Sequence, residues 1–206
     1  MQSAIDPAKA DLNHHHDATI ATHDVVHHDY RIQGVIVFLL AESMIFLGLF
    51  TAYLTFRAVA PSWPPVGTPK LELLLPGINT AILISSSLVI HKAGAAIRNN
   101  NVSGLRLWFG ITALMGAIFL GGQLYEYAHL EFGLTTNLFA STFYVLTGFH
   151  GLHVCFGLLL ILAVMARSLK PGRYTSDSHF GVEAAELYWH FVDVVWIVLF
   201  LLLYIL

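Results

Sequence analysis

The sequence predicts an all-α protein: a polytopic membrane bundle of five transmembrane helices, with a cytoplasmic N-terminus and a C-terminus outside. Three observations predict it. Hydrophobic residues fill 56% of the 206 positions and charged ones only 11%, against about 25% charged in soluble domains. Five apolar runs each reach the ~20 residues that carry a helix across a hydrocarbon core, and a soluble helical core would not need them. Lys and Arg divide unequally between the segments that join the runs.

Residues 1–31 form a polar tail holding His14, His15, His16, His23, His27 and His28, with Asp17, Asp24 and Asp29 interleaved. Such a composition buries too little apolar surface to fold alone, so a solvated arm is expected. No short apolar core precedes a cleavage site, as a secretory signal would require. Residues 32–206 make up the membrane domain. The net charge of −3 excludes a basic nucleic-acid surface, and the lone Cys155 excludes a disulfide within the chain.

The runs span about 33–56, 76–97, 105–127, 138–166 and 184–206. They lack two-residue alternation, so helices rather than barrel strands satisfy the backbone in lipid. The stretch APSWPPVGTPKLELLLPG (Ala60 to Gly77) holds five prolines and breaks the first run from the second. RNNNVSG (Arg98 to Gly104) is a tight polar turn, and SLKPGRYTSDSHFG (Ser168 to Gly181) a longer loop. On helix 3, Ala113, Ala117 and Gly121 form a ladder of small residues of the kind that lets helices approach closely in lipid; Gly148 and Gly151 lie near each other on helix 4.

Orientation follows from cationic residues near the membrane. Lys9, Arg31, Lys92, Arg98, Arg106, Arg167, Lys170 and Arg173 lie on the N-terminal side, and only Arg57 and Lys70 on the other. The N-terminal side is therefore expected to be cytoplasmic.

The chemistry lies in ionisable groups within the spans, each costing at least ~2.5 kcal/mol to insert. They are Glu42, Glu126, His150, His153, and Glu183, Glu186, His190 and Asp193 on helix 5. The helix 5 set is spaced 3, 4 and 3 apart and covers an arc of about 80°. That makes one stripe facing protein, and His190 and Asp193 are placed to bond each other. Glu42, His153 and Asp193 reach similar depths, so some of them are expected to share one interhelical network. A two-histidine haem site, using His150 or His153 with His190, is an alternative, but no repeated Glu-x-x-His pairs or histidine boxes accompany it. Structural hydrogen bonds are the expected role, with no metal site. No phosphate loop, dinucleotide fingerprint or nucleophile elbow is present.

STFYVLTGFHGLHV (Ser141 to Val154) and EAAELYWHFVDVVW (Glu183 to Trp196) closely resemble the paired signatures of subunit III of haem–copper respiratory oxidases. FLLAESMIFLGLF (Phe38 to Phe50), WPPVG (Trp63 to Gly67), LPGINTAIL (Leu75 to Leu83) and GGQLYEY (Gly121 to Tyr127) match further. The likeness covers about Gln33 to Leu206.

It implies a non-redox accessory subunit of a proton-pumping oxidase that reduces oxygen to water, with no active site and no cofactor of its own. The haems and copper would lie in partner subunits, and catalytic subunits I and II would be its partners along with membrane lipids. Glu42 takes the place of the family's carbodiimide-reactive buried carboxylate, with a part in proton uptake. Arg167 is placed for a phospholipid head group. The resemblance is to a bacterial five-helix form that lacks the first two helices of the seven-helix version. A cytochrome c oxidase is favoured over a quinol oxidase by Glu42 and the Trp-Pro-Pro loop. From another class, an independent proton-coupled transporter is the alternative, but no inverted repeat or broken-helix pair supports it.

Overall fold

The computed structural model describes residues 30–69 and 71–206. The histidine tail, apart from Tyr30 and Arg31, and Lys70 lie outside the described residues. Five long helices account for most of the rest: α1 (Tyr30–Val59), α2 (Leu74–Arg98), α3 (Val102–His129), α4 (Leu138–Ser168) and α5 (Phe180–Phe200), which ends in a π turn (Leu201–Ile205). All five are long and apolar enough to cross a membrane. The protein is an integral, multi-pass membrane protein.

The helices start where side chains can satisfy their first amides. Asn101 accepts from the Gly104 amide (2.8 Å) and Asn137 from the Ala140 amide (2.8 Å), the usual work of an N-cap oxygen. The first cap lets α3 begin three residues before its apolar run. The turn between α2 and α3 places Asn100 at φ +54°. Its side chain donates to Ser176 Oγ (3.1 Å) and accepts from the Ser176 amide (2.8 Å), which joins the two polar loops of the N-terminal side. Arg106 adds a bond to Ser168 Oγ (3.0 Å) and another to the Ser168 carbonyl, tying α3 to the end of α4.

α5 is the axis of the bundle. Half of its most apolar stretch is buried, against 11% for α1. Trp189 is fully buried at its centre, and its indole N–H donates to Ser86 Oγ on α2 (2.8 Å). The ring lies against two glycines: a Cβ on Gly157 of α4 would come within 2.9 Å of it, and one on Gly116 of α3 within 2.5 Å. One tryptophan thus meets three other helices, because two of them carry no side chain where it passes. Trp196 repeats the tie to α2 one level away, donating to Thr80 Oγ1 (2.9 Å).

The small-residue ladder expected on α3 is not the packed seam. Ala117 and Gly121 are exposed, and nothing lies within 4 Å of a Cβ on Gly121. The close approaches fall at Gly116 and Gly122 instead, the second against the Asn79 side chain. Small residues permit contact but do not say which neighbour arrives.

α1 rests on α4 and α5 and leaves its outer face uncovered. Phe46 and Tyr53 are its buried anchors. Tyr53 donates to the Leu202 carbonyl (3.0 Å) and receives the Trp63 indole N–H (3.1 Å). Arg57 donates to the Leu206 carbonyl (2.6 Å). These bonds satisfy carbonyls that the last turn of a helix leaves open, and they fasten α1 to the far end of α5.

Candidate functional site

The intramembrane ionisable groups separate into clusters rather than one network. The first joins α1 to α4. His153 bonds the Phe149 carbonyl through Nδ1 (2.8 Å) and faces Glu42 Oε2 through Nε2 (3.2 Å). A carbonyl only accepts, so Nδ1 carries a proton. One further proton then lies between Nε2 and the carboxyl, whichever partner holds it, and the pair is neutral overall. Such a pair is far cheaper to place in lipid than a lone carboxylate. Phe46 and Phe149 pack edge-on against the imidazole, with centroids at 4.9 and 4.7 Å. Glu42 opens on a cleft of about 770 Å³ whose walls include Phe38, Ile45, Phe149, Phe156 and Tyr188.

His150, one turn away, takes no part in this. It points towards α3 and α5, stacked on Trp196 (5.0 Å) and edge-on to Phe119 (5.9 Å), and neither ring nitrogen has a hydrogen-bond partner. The helical pitch that puts positions three apart on neighbouring faces here sends them to different helices. Axial ligation of a haem by His153 would break its bond to Glu42 or to the Phe149 carbonyl, and His150 is enclosed by aromatic rings.

Three of the four helix 5 groups, Glu186, His190 and Asp193, face α2, so Asp193 does not join Glu42 of α1 and His153 of α4. Ser87 supplies the reason. Its hydroxyl donates to Asp193 Oδ2 and receives His190 Nδ1 (3.0 Å). Glu186 bonds His91 Nδ1 (2.9 Å), and His190 Nε2 lies 3.8 Å from the same carboxylate oxygen. Gly94 makes room here, since a Cβ would overlap the Glu186 carboxylate. Glu183 stands apart at the membrane edge, beside His179 on its own first turn (3.2 Å).

A third cluster lies at the opposite end. Glu126 is buried and accepts from Gln123 Nε2 (3.0 Å) and the Tyr204 hydroxyl (2.9 Å). At the C-terminal end of α4, Arg167 lines a crevice of about 430 Å³ with Arg31, Arg173 and Tyr174. This crevice and the Glu42 cleft both border Leu160 and Ala163 of α4.

Sequence reasoning missed His91, Ser87 and Tyr204. Tyr204 sits in a wholly apolar stretch, whereas the run Ser85 to Ser87 and the pair His91–Lys92 were the available signals for α2.

Five spanning helices whose buried acids are matched by histidine, serine or tyrosine define a polytopic membrane protein built around polar helix contacts. Comparison with known proteins narrows this. The family described as cytochrome c oxidase subunit III matches residues 11–206. The cytochrome c oxidase subunit 3 of Synechocystis is 74% identical over 180 residues, covering 87% of this chain and 77% of that protein. That of Thermostichus vulcanus is 58% identical over 92% of this chain and 94% of its own length. The probable subunit 3 of Nocardia farcinica is 42% identical over 83% and 85%. The chain belongs to the cytochrome c oxidase subunit III family.

Proposed function

We propose that this chain is the non-redox accessory subunit III of a proton-pumping cytochrome c oxidase, packing on catalytic subunit I beside subunit II. The observation that carries the reading is the 74% identity to a cyanobacterial cytochrome c oxidase subunit 3 over most of both chains. The haems and copper belong to the partner subunits, and the N-terminus lies in the cytoplasm.

Within this role, the Glu42–His153 pair is the group that handles a proton. It is neutral as a pair, opens on an apolar cleft, and sits where α1 crosses α4. A phospholipid suits these two neighbouring openings: an anionic head group against Arg167, Arg173 and Arg31, and an acyl chain running along α4 past Leu160 and Ala163 towards Glu42. The buried clusters of α5 hold the subunit together.

Mild-detergent purification through a tag on this chain tests the reading. Recovery of a haem- and copper-bearing chain that oxidises cytochrome c supports it. Recovery of the chain free of any oxidase, or with one that accepts only quinol, contradicts it.

A further inference from the structure

We propose that His91, Glu186 and His190 form a binding site for a single divalent cation of the zinc type, clasping α2 to α5. One ligand atom from each of these three residues lies within 4.8 Å of the other two, the one such trio among the described residues. His91 Nδ1 and His190 Nε2 stand 2.9 and 3.8 Å from the same Glu186 oxygen. Tetrahedral zinc with bonds of 2.0–2.1 Å sets its ligands about 3.3 Å apart. The site therefore needs side-chain shifts of about an ångström and no backbone movement. Two imidazoles and one carboxylate form a donor set that suits zinc and leave a fourth position for water.

The surroundings prepare the ligands. Ser87 has one hydroxyl proton, and it goes to Asp193, so Ser87 Oγ receives the proton on His190 Nδ1. That fixes the tautomer and leaves the His190 Nε2 lone pair turned towards Glu186 and His91. A chain of this type, metal ligand to hydroxyl to carboxylate, is how outer residues orient an imidazole. Gly94 provides the space that the Glu186 carboxylate occupies. Access is open: the His91 side chain is 69% exposed, against 38% for His190 and 13% for Glu186. The proposal does not depend on the oxidase assignment.

The test uses the purified complex, stripped of loosely held metal with a chelator and titrated with Zn²⁺ alone. Bound zinc is counted after equilibrium dialysis, and acylation of His91 by diethyl pyrocarbonate is read by peptide mass spectrometry. The expected result is one zinc equivalent that Glu186→Gln and His91→Gln each weaken about 100-fold, and Ser87→Ala by about 10-fold. Zinc at saturation should protect His91 from acylation at least about tenfold. Because His91 is exposed, its replacement leaves the packing intact and separates ligand loss from misfolding. Equal zinc binding by wild type and His91→Gln, His91 acylation indifferent to zinc, or a His91 closed to both reagents in the complex would each overturn the proposal.

Discussion

Gly116→Ala drives one methyl into the Trp189 indole, and its cost can be worked from the packing. The added Cβ would lie 2.5 Å from Trp189 Cη2 and 3.2 Å from Leu158 Cδ2. The indole cannot retreat, because Gly157 of α4 holds its other edge and Ser86 holds its N–H. Overpacking of this kind costs about 1–3 kcal/mol. Alanine in place of a helical glycine also returns about 1 kcal/mol of helix propensity. Gly121→Ala on the same helix collects that return with nothing within 4 Å to meet it. The two variants should therefore differ by about 1–3 kcal/mol, the propensity gain cancelling between them. The assay is the midpoint of dodecyl sulfate unfolding in mixed micelles, followed by retention of the chain in the purified complex. Trp189→Phe should rescue Gly116→Ala in a double-mutant cycle, with a coupling of about 1 kcal/mol or more. Equal midpoints for Gly116→Ala and Gly121→Ala, or no coupling to Trp189→Phe, would refute the claim that this ring is the pin of the bundle.

Four further outcomes follow from the polar clusters and the arginine crevice. Glu42→Gln keeps a hydrogen-bonding group beside His153 and should assemble normally, with proton uptake measured in single-turnover experiments only modestly slowed. His153→Leu strands the Glu42 carboxyl and should lower stability by about 2.5 kcal/mol or more, most of which His153→Leu with Glu42→Leu restores; unfolding midpoints read both. Tyr204→Phe removes one of two donors to Glu126 and should cost about 0.5–1.5 kcal/mol by the same measurement. Replacing Arg167 and Arg173 together with Gln should reduce the anionic phospholipid that co-purifies, as quantified by lipid mass spectrometry, and leave neutral lipid unchanged.

The five helices were legible because membrane length and apolar composition are local properties, and proline and asparagine mark the breaks. The stripe on α5 was legible in part for the same reason: 3, 4, 3 spacing fixes one arc whatever the neighbours do, but only Glu186, His190 and Asp193 meet a neighbouring helix, and Glu183 stays half exposed beside His179. The partner of the stripe was not legible. Helix order in a bundle depends on which surfaces fit, and Trp189 and Trp196 bring α2 against α5 through Ser86 and Thr80. Once α2 is there, Ser87 and His91 meet Asp193, His190 and Glu186, although 95 residues separate His91 from Glu186. The Glu42–His153 pair came within reach, since matched depth led some of Glu42, His153 and Asp193 to be expected in one network; the first two form it, and Asp193 bonds Ser87 instead. Depth says how far into the membrane a residue lies and nothing of the direction it faces. For that reason His150 and His153, three residues apart on α4, belong to different contacts.

The central claim is that the chain serves an oxidase without performing its chemistry. The most direct measurement is on the purified complex, from which this chain is selectively removed with a harsher detergent. The haem spectrum and oxygen consumption of the remainder are then compared with those of the isolated chain. The account predicts that the remainder keeps its full haem spectrum and its initial oxygen reduction, and that the isolated chain shows no Soret band. A haem band carried by this chain, or immediate and complete loss of oxygen reduction on its removal, would contradict it.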